Sequence, residues 1–239
     1  MPQDNTTQKY DYSSFLAQKV RFDSPSGFDP GESMNGQMFP FQRAIARWAC
    51  RRGRSAVWAD CGLGKTIISL EWLRLVTERE GGSGLVLTPL AVAEQFAEEG
   101  QKFGIHVNVC RDGSEVQPGI NVTNYERLHR FDVSQFVAVV ADESSILKDY
   151  SSSTRNLLID SFARTPYRMA CTVTPAPNDH IELGNHAEFL GALTRTEMLS
   201  TFFVHDGGDT QSWRLKRHAA RDFWRWVCSW AVVIRRPSD

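Results

Sequence analysis

ADCGLGKTIISLEWL, Ala59–Leu73, is the stretch on which the fold turns. Gly62 and Gly64 flank Leu63, Lys65 and Thr66 follow at once, and apolar residues then recur at helical spacing to about Arg79. Before it, SAVWAD (Ser55–Asp60) reads as a short buried strand. Strand, glycine turn and helix in that order make a phosphate-binding loop. Its backbone N–H groups face a β-phosphate, Lys65 reaches the β and γ oxygens, and the Thr66 hydroxyl ligates Mg²⁺. Ala59 stands where the pattern G-x-x-x-x-G-K-[ST] has its first glycine. At a strand end that position has only to be small, so alanine satisfies it. Cys61, inside the loop, reads as a small filler residue.

Around this loop the chain reads as one sizeable α/β unit. Its 239 residues are 41% hydrophobic and 23% charged, enough for a single large core. Lys plus Arg number 27 against 28 for Asp plus Glu, so any nucleic-acid contact has to come from local patches rather than from a bulk positive field. FVAVVA (Phe136–Ala141) is the longest uncharged apolar run, far short of the ~20 residues of a membrane span. The N-terminus lacks a signal-peptide core, and a cytoplasmic location is expected. Five scattered cysteines without a C-x-x-C pair exclude a disulfide framework and a zinc site, and are expected to be reduced and mostly buried.

Residues 1–37 are polar and broken by proline and glycine, and read as a flexible or draped arm; the folded unit is expected over 38–239. Helices are expected from Phe41 to about Arg52, after Pro89 to about Phe103, and from a serine-rich start at Asp149–Thr154. Strands are expected at GLVLTP (Gly84–Pro89), VNVC, INVT, FVAVVADE (Phe136–Glu143) and YRMACTVT (Tyr167–Thr174). Strands apolar on both faces, alternating with helices, indicate a mostly parallel sheet covered on each side. Residues 180–230 read as mostly helical with a glycine break at HDGGD, and a helix over HAARDFWRWVCSW is expected to bury its aromatic side against the sheet. The histidines show no metal-ligand spacing.

A second acidic element narrows the chemistry. In VVADESS (Val139–Ser145) an apolar strand ends in Asp-Glu, which puts Asp142 at the sheet's carboxyl edge to hold Mg²⁺ and Glu143 beside the γ-phosphate to orient and deprotonate a water.

With both elements in hand the chain resembles the helicase-like ATPases of superfamily 2, in particular the Swi/Snf-type double-stranded-DNA translocases, from about Phe39 to Asp239. FPFQ is similar to the element in which an aromatic ring and a glutamine, here Gln42, read adenine. LVLTPLAVAEQF is similar to the segment whose turn, here Thr88 and Pro89, faces the DNA backbone, and VTNYERL to one that offers Thr123 and Asn124 to phosphates. CTVTPAPND looks like the L-T-G-T-P motif linking the acidic element to the nucleic-acid face, with Thr172 and Thr174 at the matching hydroxyls and Val173 departing from glycine. DESS and TVT do not fit the D-E-A-D and S-A-T of RNA helicases, which favours DNA. VVIRRPSD resembles the segment that ends the family's first lobe.

The resemblance implies a RecA-like P-loop lobe that uses ATP and Mg²⁺, acts on DNA, and joins a second RecA-like lobe supplying arginine fingers worth roughly 10³ to 10⁵ in rate. No second set of strands and helices is visible in the sequence, so the first lobe of a longer motor is expected: a weak ATP binder that neither turns over quickly nor translocates alone. Two other readings stay open, an ATP-gated nucleic-acid or partner-binding module, and the motor part of a restriction or repair complex whose nuclease lies elsewhere.

Overall fold

The computed structural model describes residues 24–148, 153–176, 178–206 and 209–239. Residues 149–152 of the serine-rich start expected at Asp149–Thr154, and residues 1–23 of the arm, lie outside them. Seven strands form the main sheet: β1 (Arg54–Ala59), β2 (Ser83–Thr88), β3 (Val107–Val109), β4 (Gly119–Asn124), β5 (Phe136–Ala141), β6 (Tyr167–Thr172) and β9 (Ala231–Ile234). They lie in the order β3-β4-β2-β5-β6-β1-β9, every neighbouring pair parallel. All their carboxyl ends therefore share one rim, the rim on which open α/β sheets bind ligands.

Each central strand sends alternate side chains into two separate cores. Val57 and Ala59, Val86, Val140, Met169 and Cys171 join the first, beneath α1 (Pro40–Arg52), α2 (Lys65–Glu80) and α3 (Ala93–Lys102). Ala56 and Trp58, Leu85 and Leu87, Val139 and Ala141, and Ala170 join the second. That core is covered by α4 (Ser153–Phe162), α5 (Leu183–Leu190), α6 (Arg195–Phe202) and α7 (Ala220–Trp230). Helix α2, which leaves the glycine loop, is buried almost continuously from Ile67 to Thr77, as a helix held between a sheet and two neighbours must be.

Two features refine the sequence reading. Residues 24–37 contain no helix or strand, but they are pinned rather than free: Ser26, Gly27 and Phe28 donate backbone N–H groups to the carbonyls of Arg52, Arg51 and Cys50. Asn35 is tied to Glu71 and to the Phe103 carbonyl. The segment expected to be mostly helical also contains an antiparallel hairpin, β7 (Phe203–Asp206) with β8 (Asp209–Leu215), around the glycine break. Of the cysteines, Cys50, Cys110 and Cys171 are buried, whereas Cys61 and Cys228 are exposed. No helix among the described residues is long and apolar enough to cross a membrane.

Candidate nucleotide-binding and catalytic site

Strand β1 ends at Ala59, 1% exposed, whose methyl joins the first core. Alanine therefore suits the place where the loop pattern has its first glycine. The turn that follows needs real glycines for two reasons. Gly62 and Gly64 both sit at φ 80, a left-handed conformation that costs any side chain. Gly64 also lacks room, since a Cβ there would meet Gln42 Nε2 at 2.3 Å. Gly64 precedes the first residue of α2, whose opening turn has no side-chain cap and no acidic residue. Uncapped amides and the positive end of a sixteen-residue helix are thus left to an anion. Lys65 folds back over the loop and donates from Nζ to the Ala59 carbonyl at 2.8 Å, and Thr66 follows, half-buried.

Gln42, near the start of α1, is 5% exposed, and both ends of its amide are engaged. Oε1 accepts from the Phe39 N–H at 3.0 Å and Nε2 donates to the Leu63 carbonyl at 3.2 Å. It therefore ties the helix start to the glycine loop. Stacked Phe39 and Phe41, 6.2 Å apart, stand beside it, with Phe39 65% exposed.

Across the intervening strand β6, β5 delivers the acid pair. The Asp142 N–H donates to the Leu87 carbonyl at 2.8 Å, and the Tyr125 hydroxyl donates to the Asp142 carbonyl at 2.6 Å. Burial chiefly, and then the Glu143 charge, push Asp142 up to about 6; the Lys65 charge and the Thr88 hydroxyl beside it pull the other way. Lys65 and Asp142 thus feel each other on one rim. Glu143 has φ 48, the one non-glycine residue of positive φ among the described residues, at a cost of about 1–2 kcal/mol. The Thr172 hydroxyl at the end of β6 donates to Glu143 Oε2 at 3.4 Å and accepts the Thr174 N–H at 3.2 Å. One hydroxyl thereby spans the acid pair and the loop after β6.

The residues expected to meet DNA divide. Thr88 is fully buried, with its hydroxyl turned toward Asp142 rather than outward. Thr123 is buried and donates to the Cys110 carbonyl, and the Asn124 side chain accepts the Arg127 N–H to cap the following turn. The Thr123 and Asn124 side chains thus have partners inside the protein, and the Thr88 side chain is buried. Pro89 is half-buried, beside the 65% exposed Leu90. Sequence reasoning missed Tyr125, whose hydroxyl holds the Asp142 carbonyl, and Cys171, buried within electrostatic reach of Asp142. A tyrosine in a loop and a cysteine in an apolar strand carry no local signal of that position.

No known protein-family model matches the chain, and no curated protein does. Solved structures do match. The Sulfolobus solfataricus SWI2/SNF2 ATPase core in complex with dsDNA superposes with a TM-score of 0.69 at 22% identity, over 86% of this chain and 46% of that one. The Pyrococcus furiosus Hef helicase domain gives 0.54 at 17%, over 65% and 37%, and the UvsW helicase of bacteriophage T4 gives 0.52 at 12%, over 78% and 67%. The fold is the RecA-like α/β fold of these structures. This RecA-like lobe spans about half the length of the Sulfolobus chain. Its glycine loop and acid pair occupy the carboxyl rim, on either side of the β6 end.

Proposed function

We propose that this lobe binds ATP with Mg²⁺ and, joined to a second RecA-like lobe, couples ATP hydrolysis to movement along DNA. One observation carries the reading: the uncapped glycine loop with Lys65 and the pair Asp142–Glu143 stand on one rim of the sheet, on either side of the β6 end. Thr66 and Asp142 fit a hard divalent cation, which takes oxygen ligands and keeps waters and phosphate oxygens in its other positions. Such an ion neutralises charge building on the phosphates when bound. Asp142, half inclined to hold a proton near pH 6, gives it up to such a cation.

Glu143 is the group that takes the proton from the attacking water. Its backbone conformation and the Thr172 hydroxyl hold its carboxylate in place. Through the same hydroxyl, the loop carrying Thr174 reports on that carboxylate, a route from nucleotide to the nucleic-acid side. The protein–DNA complex among the matching structures supports duplex DNA as the track, and the span of about half that chain supports a second lobe in cis or trans. A restrained Glu143 favours hydrolysis over the alternative of an ATP-gated binding module, which would not need a base. Work as the motor of a restriction or repair complex is compatible with the same site.

Calorimetry of ATP·Mg²⁺ binding tests the reading. Lys65→Ala is expected to abolish binding with an unchanged circular dichroism spectrum, whereas Glu143→Gln keeps the affinity and loses turnover. Equal affinity of Lys65→Ala and the parent chain would refute the site.

A further inference from the structure

Helix α7 separates its aromatic residues by face. Phe223, Trp226 and Trp230 are fully buried in the second core, while Trp224 stands 43% exposed on the outside. On the same outer side are Arg221 and Arg225, with Arg217 in the 3-10 turn that leads into the helix, all exposed. Among the described residues none of these three guanidinium groups pairs with a carboxylate. Half-buried Asp222 is the acidic neighbour on the helix. The ring of His180 packs edge-on against Trp224 at 5.2 Å and fixes the indole.

Trp224 also walls a cavity of about 410 Å³ with Trp58, Asp60, Pro175, His180 and Arg235. Trp58 is 3% exposed, its ring packed edge-on against His186 and Trp230. The cavity thus offers an aromatic wall, the Asp60 carboxylate as acceptor and the Arg235 cation. Those are the groups that read the face and edge of a nucleobase.

We propose that the outer face of α7 and this cavity take an unpaired nucleic-acid strand, with phosphates on Arg217, Arg221 and Arg225 and one unstacked base against Trp224. The proposal rests on reading the lobe as part of a nucleic-acid motor and places a strand away from the turns after β2 and β4. Arg221 and Arg225 are separated by about 6 Å of helix rise, close to the separation of successive phosphates on an extended strand. A duplex keeps its bases stacked and cannot fill the cavity, so the chemistry selects a single strand. Because Asp60 opens the glycine loop and Pro175 follows the Thr172 loop, a base lodged there touches both elements of the nucleotide site.

Anisotropy titrations with a labelled thymidine oligonucleotide of about 15 nucleotides, and with a duplex of the same length, test this. Trp224→Ala is expected to weaken single-strand binding about tenfold while Trp224→Phe retains most of it. Arg221→Glu and Arg225→Glu are each expected to lower the slope of log affinity against log salt by about 0.7. Quenching of tryptophan fluorescence by the oligonucleotide should fall in Trp224→Phe. Unchanged single-strand affinity in Trp224→Ala, an equal loss for the duplex, or no single-strand binding by the parent chain would each overturn the proposal, the first pointing to a protein partner for this face. Calorimetry of ATP on the same preparations keeps the two readings apart. A parent chain that binds ATP while its α7 variants bind the strand normally sinks only this inference. One that binds no ATP sinks the proposed function and leaves the strand result standing.

Discussion

Burial and the neighbouring Glu143 carboxylate raise Asp142 to about 6, whereas in an unfolded chain an aspartate ionises near 3.8. Between those values the folded state holds the extra proton, so stability falls as pH rises from about 4 to 6, by about 3 kcal/mol for a shift of this size. His186 runs the other way. Fully buried, it is pushed down to about 4 from an ordinary 6.5, so the unfolded chain takes up the proton first and stability is lost as pH falls from about 6.5 to 4. The two contributions oppose each other across about pH 4–6. Asp142→Asn removes one of them without changing shape. In urea unfolding with chelator present, that variant should be the more stable at pH 7.5, by up to about 3 kcal/mol, and should lose stability more steeply on acidification. A variant less stable than its parent at pH 7.5 would contradict this account of the site. The acid pair itself was legible in the sequence as two carboxylates ending an apolar strand. The left-handed backbone of Glu143 and its tie to Thr172 were not, because each depends on β6 lying alongside β5, a contact between residues far apart in the chain.

Helix α1 meets the glycine loop through a single amide. Removing it in Gln42→Ala leaves the part-buried Phe39 N–H and the buried Leu63 carbonyl without this partner, at a cost of about 1–3 kcal/mol. It also relaxes the turn around Gly64, against which that amide packs. ATP·Mg²⁺ affinity is therefore expected to fall in Gln42→Ala along with the urea midpoint, whereas Gln42→Glu should keep the Phe39 contact and lose the Leu63 one. Equal ATP affinity in parent and Gln42→Ala would show that the loop holds its shape without the helix. At this scale the sequence was uneven. Strands β1, β2, β5 and β6 announce themselves because covering both faces of a parallel strand demands an unbroken apolar run. The hairpin β7–β8 does not: its glycine pair reads equally well as a helix break, and its strands carry no clean alternation. Strand β9 follows Trp230 directly, with no glycine or proline to mark the change from helix, so its four residues pass for a tail until β1 is seen beside them. For α7 the expectation of a buried aromatic side holds for Phe223, Trp226 and Trp230 and fails for Trp224.

The site exists only at the scale of the whole sheet. Loop and acid pair follow β1 and β5, which are not neighbours, and β6 between them supplies Thr172; a strand order of this kind is set by crossovers that no local pattern encodes. A ligand gripping both elements therefore ties together strands that otherwise communicate only through the two cores. Because such a ligand binds the folded chain alone, ATP·Mg²⁺ at about one hundred times its dissociation constant should add about 2.7 kcal/mol of stability. For a chain of this length that raises the melting temperature by roughly 5–10 °C. The metal ion should matter as much as the nucleotide, since Asp142 contributes nothing attractive to a bare triphosphate and, when ionised, repels it. Chelating the metal while keeping ATP constant is thus expected to remove most of the shift in a thermal melt. In Asp142→Asn, where that repulsion is gone, the shift with ATP alone should exceed the parent's, and the extra gain on adding Mg²⁺ should shrink. A parent chain whose melting temperature rises equally with and without the metal would mean that the nucleotide is held by the glycine loop alone and that the acid pair belongs to some other chemistry.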